Sequence, residues 1–349
     1  MVDILKLVRH HIHKLKAYSS AREEYSGKKG ILLDANENPL GSTSRKSYNR
    51  YPDPYQKSLK KAIGKLKNIS PERIFLGNGS DEAIDLLVRI FCHPNQDSVI
   101  VMPPTFEMYE VAARINQNEV IAVSLTKDYQ IDTTKVLEAI KPHTKIIFIC
   151  SPNNPTGNSM HRDSILEIVE KFQGIVVIDE AYIDFAKDAG YFDILNNYNH
   201  VVILQTFSKA WGLAGLRLGM AFADKQIIEL LNKIKSPYNV NRATQSLALK
   251  AIKKLEYKDF MVQQLLAERK ILILELSNLD IVETVYPSDS NFLLVKFRDA
   301  DKIYNYLLKN KVIVRSRSNV VLCDNALRIT VGNEKENDIL ISTLKNYKG

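Results

Sequence analysis

Between about residues 70 and 235, short apolar runs rich in β-branched side chains alternate with amphipathic stretches. DEAIDLLVRIFC is followed by SVIVM, EMYEVAARI, EVIAV, KIIFIC, IVVIDE, HVVILQTF and LRLGMAF. Runs this short, bounded by polar residues, glycine or proline, predict strands covered on both faces, and the stretches between them predict the covering helices. The expectation is an α/β fold: a three-layer αβα unit around a mostly parallel sheet. In such sheets ligands gather at the carboxyl ends of the strands.

After about residue 240 the pattern changes. A long helical text, ATQSLALKAIKKLEY through QQLLAERKILILELSNL, leads to the alternating runs NFLLVKF, KVIVRSR and ALRITVG, which predict a smaller α+β unit. We therefore assign residues 41–240 to the large unit. Residues 1–40 and 241–349 form the small one, with an N-terminal arm folding back onto it. No repeat of 20 to 50 residues and no low-complexity segment interrupts the 349 residues.

Three cysteines, Cys92, Cys150 and Cys323, are too few and too scattered for a disulfide framework or a thiolate metal site, and they point to a reducing, cytoplasmic setting. No apolar run approaches the roughly 20 residues of a membrane-spanning helix. The basic start lacks the apolar core and cleavage site of a secretory signal. Lysine and arginine exceed aspartate and glutamate by 48 to 40, giving +8. The cations are interspersed with acids and lack an aromatic stripe, so a solvated surface is expected rather than a nucleic-acid groove. His10, His11 and His13 have no carboxylate or cysteine spaced to complete a metal set and are read as a solvated helix. No metal is expected.

The densest chemistry lies in VVILQTFSKAWGLAGLRLG. Lys209 follows a strand and precedes a small-residue stretch ending at Arg217, with Thr206 and Ser208 beside it. A lysine near another cation can lose its proton and attack a carbonyl, and Ser208 and Arg217 suit a phosphate. Alone, Lys209 reads more readily as a snorkelling surface lysine. IVVIDEAY places Asp179 and Tyr182 after another strand. A carboxylate there can keep a pyridine nitrogen protonated and the phenol can meet a ring oxygen. An acidic pair in this position also suits Mg²⁺ or a nucleotide, but the G-x-x-x-x-G-K-[ST] loop is missing. In GNGSDEA, Gly79 allows close approach and the amides of Ser80 and Asp81 open a helix suited to an anion, or form a plain cap. Phe106, in PPTFEMY, can stack on a planar ring or fill the core. Asn154, in CSPNNPTG, can donate to a ring oxygen.

Together these segments resemble the class II aminotransferases of the fold-type I pyridoxal phosphate enzymes, and among them the branch acting on histidinol phosphate. The resemblance runs in order through LVRHHIHKLKAYSSARE, LDANENPLG, NRYPDP, GNGSDE, PPTF, SPNNPTG, DEAY, TFSKAWGLAGLRLG, VIVRSR and LRITVG. It implies pyridoxal 5'-phosphate as cofactor, with Lys209 binding its aldehyde and shuttling the proton, and Asp179 pairing with the pyridine nitrogen. Tyr182 and Asn154 would meet the ring oxygen and Phe106 would stack on the ring. Ser80, Asp81, Ser208 and Arg217 would hold the phosphate, with Thr206 as a further donor. Tyr51, in NRYPDP, is implied to reach the neighbouring subunit's site, hence a homodimer. The sequence departs mildly from the family wording at Trp211 and at Thr206 and Phe207, and none of these removes a catalytic group.

The implied reaction moves an amino group between L-histidinol phosphate and 2-oxoglutarate, giving imidazole-acetol phosphate and L-glutamate, as in histidine biosynthesis. Arg328 and Arg315, on adjacent strand-like runs, are the expected phosphate ligands, because guanidinium forks match phosphate geometry. Tyr18 and Asn36 would add contacts. Whether Arg315 or Arg317 faces inward stays open. An aromatic amino-acid aminotransferase or a decarboxylase of phosphorylated amino acids would reuse the same residues. A non-catalytic, cofactor-sensing DNA binder would need a helix-turn-helix segment, and none precedes the cofactor unit. No nucleic-acid or membrane partner is expected.

Overall fold

The computed structural model describes residues 1–17, 30–44, 47–187 and 189–348. Seven strands form the large sheet: β1 (Ile74–Asn78), β2 (Ser98–Val101), β3 (Glu119–Ala122), β4 (Thr144–Cys150), β5 (Ile175–Asp179), β6 (Val201–Thr206) and β7 (Leu218–Phe222). Their spatial order is β1-β7-β6-β5-β4-β2-β3. The pairs from β3 to β6 are parallel, and β7 runs antiparallel to both β6 and β1.

Period-two alternation sorts each central strand onto two cores. Ile147, Ile149, Val176, Ile178 and Ile203 enter one apolar cluster. Ile146, Phe148, Ile175, Val177, Val202 and Leu204 enter the other. Helices close both faces, which is the expected three-layer arrangement. Each fully buried aliphatic side chain contributes about 1.5–3 kcal/mol relative to exposure, so burial on both faces holds the strands that end at the site.

The second sheet is antiparallel, in the order β10-β11-β9-β8, built from β8 (Val282–Val285), β9 (Phe292–Phe297), β10 (Arg315–Ser316) and β11 (Ala326–Thr330). Leu272 and Leu276 of the helix Leu255–Ser277 and Leu340 and Leu344 of the helix Glu334–Lys345 cover it. The latter helix starts with a reciprocal capping box between Asn333 and Glu336.

At the amino end the structure departs from expectation. Ile4, Val8 and Ile12 join the core of the large sheet, not that of the small one. Val2 N donates to Asn199 Oδ1 at 3.0 Å, Arg9 N to Ile90 O at 3.0 Å, and Lys233 Nζ to His13 O at 2.8 Å. Residues 2–13 thus pack on the large unit, because the apolar stripe of this short helical segment fits the surface left by the helices Ser80–Phe91 and Lys225–Ile234. The helix Arg242–Ile252 likewise packs against the helix Lys57–Lys67, with Ala248 in the large unit's core. The change of texture near residue 240 therefore precedes the change of packing.

Candidate active site

The carboxyl ends of β5 and β6 and the start of the helix Ser80–Phe91 surround one cavity, with about 560 Å³ of free space including its open mouth. Ser80, Asp81, Phe106, Asn154, Asp179, Tyr182, Thr206, Ser208, Lys209 and Arg217 all line it. Ten residues spread over nearly 140 positions of sequence meet here because each follows a strand of the same sheet or caps a helix beside it.

Asp179 is the last residue of β5 and is buried. Its Oδ2 accepts from Tyr109 Oη at 2.8 Å and its Oδ1 from Ala181 N at 3.0 Å. Burial pushes its carboxyl up to about 6, with the Tyr109 hydrogen bond opposing the rise. Among the described residues no cation forms an ion pair with it. A carboxylate fixed at both oxygens, dry and unpaired, is a receptor for a positive group arriving in the cavity.

Tyr109 was not singled out from sequence. It lies one helical turn beyond Phe106, stacks on Phe148 with centroids 4.9 Å apart, and is fully buried. The only sequence signal was its spacing from Phe106 on an amphipathic helix. Burial, with Asp179 next in effect, holds its hydroxyl well above the usual phenol range, so it stays a donor.

Lys209 lies three residues beyond β6, in a turn closed by Gly212 N to Lys209 O at 2.9 Å and Leu213 N to Phe207 O at 3.1 Å. Its side chain is exposed and lines the cleft, with the amine 5.4 Å from the Tyr182 ring centroid. Partial burial, then the charges of Arg328 and Arg217, lower its pKa. Both effects favour the neutral amine. Tyr182 is buried edge-on against Phe292, and burial raises its hydroxyl above the usual value.

The opposite end of the cavity suits an anion. Gly79, at φ +76°, turns the chain into the helix Ser80–Phe91, leaving the Ser80 and Asp81 amides at its first turn. Arg217 Nη2 lies 3.1 Å from Asp81 Oδ2, and Ser208 N donates to Thr206 Oγ1 at 3.1 Å. A Cβ on Gly219 would stand 2.1 Å from Ser80 N, so only glycine lets β7 come this close to the cradle. These residues fit the phosphorylated, ring-bearing cofactor implied by the sequence. There is an anion cradle at one end, a cation-seeking carboxylate at the other, an aromatic wall at Phe106 and an amine between them.

Toward the small sheet, Arg328 on β11 donates from Nη1 to Asn154 Oδ1 and lies over the Phe292 ring at 5.4 Å. Burial and the nearby Arg317 and Arg315 lower its pKa. Arg315 pairs directly opposite Arg328 in the β10–β11 register, yet its side chain is exposed. Arg317 is the tucked one, with its side chain 11% exposed and Nη1 2.5 Å from Glu107 Oε1. Tyr51 and Asn36 are not brought to this cavity by their own chain. Both are exposed in a separate cleft with Arg50 and Arg242, where Tyr51 stacks on Tyr238 at 4.5 Å. Tyr18 lies outside the described residues. His10, His11 and His13 are exposed, and no group of three metal-ligating side chains occurs among the described residues.

Comparison with known proteins agrees with this geometry. Residues 15–344 match the family model "Aminotransferase class I and II". A histidinol-phosphate aminotransferase from Cytophaga hutchinsonii is 54% identical over 98% of each chain, and one from Parabacteroides distasonis is 50% identical over the full length of both. Among solved structures, the histidinol-phosphate aminotransferase of Clostridium acetobutylicum superposes with TM-score 0.78 at 25% identity, covering 85% of this chain and 90% of that one. The Sinorhizobium meliloti enzyme in complex with pyridoxal-5'-phosphate gives TM-score 0.80 at 22% identity, covering 89% and 88%, and so shares the fold. With a site built at the strand ends and a family match running almost end to end, the chain belongs to the class I and II aminotransferases.

Proposed function

We propose that this chain is a pyridoxal phosphate-dependent histidinol-phosphate aminotransferase. It moves an amino group between L-histidinol phosphate and 2-oxoglutarate, with imidazole-acetol phosphate and L-glutamate as the other pair. The observation that carries the reading is the meeting of the Lys209 amine, the unpaired buried Asp179 carboxyl and the Ser80, Ser208 and Arg217 anion cradle in one cavity. The bound cofactor supplies an aldehyde that accepts the amino group and a protonated ring that draws electrons from the carbon losing its proton. Lys209 Nζ takes that proton and returns it, a role typically contributing about 10² to 10⁴ in rate. Asp179 holds the ring's positive charge, and Tyr109 and the Ala181 amide hold Asp179. Phe106 covers a ring face, and Asn154 and Tyr182 orient the ring oxygen. Arg328 takes the substrate's anionic group, with Arg315 near it.

Within this reading the enzyme acts in the cytoplasm as a homodimer, and residues 41–240 serve as the cofactor unit. The three cysteines are buried and unpaired. Ile31, Leu33 and Leu40 are 90%, 85% and 95% exposed in the segment that neighbours Tyr51, an apolar surface suited to a second copy that would receive Tyr51 in its own site. The test is a half-reaction: cofactor-loaded protein mixed with histidinol phosphate should lose its visible absorption as the amine form accumulates, and 2-oxoglutarate should restore it. Conversion by phenylalanine alone, or release of carbon dioxide from a phosphorylated amino acid, would replace this reading with one of its relatives.

A further inference from the structure

Glu37 lies in a segment that is otherwise turned outward. Ile31, Leu33 and Leu40 are among the most exposed apolar side chains of the chain, yet the Glu37 side chain is only 3% exposed. Its two oxygens are divided between neighbouring residues of another loop. Oε2 accepts from Arg50 Nη1 at 2.8 Å, and Oε1 accepts from Tyr51 N at 2.5 Å. Arg50 Nη1 also donates to Leu32 O at 3.2 Å, and Asn49 Nδ2 donates to Asn38 O at 3.0 Å. A carboxylate taken out of water is retained where charge and hydrogen bonds compensate it, and here the Arg50 guanidinium and the Tyr51 amide do so. On the other side of Tyr51, Pro52 restricts its backbone to extended conformations, and Asp53 accepts from the amides of Tyr55 and Lys57 at 2.9 and 2.7 Å. The Tyr51 ring rests on Tyr238, 4.5 Å away and within 18° of parallel. The backbone around Tyr51 is thus held on both sides, while its side chain stays half exposed and outside its own chain's cofactor cavity.

We propose that Glu37, clasped to Arg50, is a positioning residue that acts across the subunit boundary by aiming Tyr51 into the cofactor site of the neighbouring copy. This rests on the proposed function, in which each site receives Tyr51 from the other chain, and adds which groups hold that tyrosine in register. A loop already clasped loses less conformational entropy on docking than a free one, so the donated side chain arrives preorganised. Taking away the carboxylate charge leaves Arg50 without its acid and weakens the charge-assisted bond to the Tyr51 amide. The loss then falls on the site of the partner copy, not on the site of the chain that carries the substitution.

Hybrid dimers separate the two chains. A Lys209→Ala subunit donates Tyr51 but has no amine, and a Tyr51→Ala subunit keeps the amine but has no tyrosine to donate, so recovered activity comes from the site that joins one of each. The readout is the half-reaction with L-glutamate, in which visible absorption is lost as the amine form of the cofactor accumulates, so the result does not depend on the phosphorylated substrate. Placed on the Lys209→Ala subunit, Glu37→Gln should slow this reaction at least about fivefold. Placed on the Tyr51→Ala subunit, it should change the rate by less than about twofold. Arg50→Gln should repeat the asymmetry, and it carries the comparison where Glu37→Gln fails to refold. Apart from activity, amide hydrogen exchange of the peptide containing Tyr51 should quicken at least about tenfold in cofactor-loaded Glu37→Gln, with the β5 and β6 peptides unchanged. Equal losses on either subunit would mean that the clasp only supports the fold, and the proposal falls. It falls equally if neither placement slows the hybrid, or if exchange at Tyr51 does not change. Hybrids that recover activity without the asymmetry would leave the shared site standing and remove Glu37 alone. Hybrids that recover nothing, although the unmodified enzyme transfers amino groups, would overturn the sharing of Tyr51 and the proposal with it. Asymmetry with glutamate in an enzyme that ignores histidinol phosphate would make the proposed substrate wrong and leave the Glu37 assignment in place.

Discussion

Asp179 shows how one side chain can depend on a residue that no motif announces. Its carboxylate is held by Tyr109, so Tyr109→Phe removes a charge-assisted hydrogen bond and leaves the carboxyl harder to ionise. Such a bond contributes about 1.5–3 kcal/mol, and we expect amino transfer to slow at least tenfold, read from kcat at saturating substrate. Unchanged turnover would show that the ring partner does not need this donor. Asp179 and its neighbour Glu180 are both buried acids, pushed by burial up to about 6 and about 7. Between the ordinary carboxylate range and those values the folded protein binds more protons than the unfolded chain, so stability falls as pH rises. The cofactor-free protein should therefore melt at lower temperature at pH 7.5 than at pH 5, by a few degrees, in a thermal scan. A bound cation-bearing ring should flatten the Asp179 part of that slope.

At the scale of elements, β7 approaches the start of the helix Ser80–Phe91 so closely that no side chain fits between them at Gly219. A methyl group at Gly219 would meet the Ser80 amide at 2.1 Å and the Gly79 carbonyl carbon at 2.2 Å, so something in the backbone must move. Gly219→Ala should cost at least about 1–3 kcal/mol of stability and weaken cofactor binding together, measured by denaturation and by cofactor titration. Loss of stability with unaltered cofactor affinity would separate the contact from the cradle. Much of this layer was legible in the sequence. KIIFIC, IVVIDE and HVVILQTF could be read as strands because uninterrupted β-branched runs have few other uses, and the residues at their ends then fell together. The short helices Ile4–Leu7 and His10–Lys14 could not be placed, because an apolar stripe does not say which surface it covers. Glu107 and Arg317 could not be paired because nothing local links positions 210 residues apart. Tyr109 carried only its turn-length spacing from Phe106.

For the whole molecule, the exposed position of Tyr51, 51% accessible and outside the cavity of its own chain, bears on assembly. If each site borrows Tyr51 from a second copy, Lys209→Ala and Tyr51→Ala subunits, each inactive or nearly so, should complement each other. In a hybrid the Tyr51→Ala subunit keeps Lys209 and receives an intact Tyr51, so random pairing leaves roughly one quarter of all sites complete. Recovery of activity on co-refolding checks it, and mixtures that stay inactive would confine Tyr51 to its own chain. The contact between Arg328 and Asn154 has a consequence of a different kind. An incoming anion that competes for this Nη1 donor would loosen the guanidinium's hold on an amide that borders the chromophore. An inert sulfate would then tint the enzyme, shifting its colour with no chemistry at all, and the pigment itself would report whether the doorway is filled.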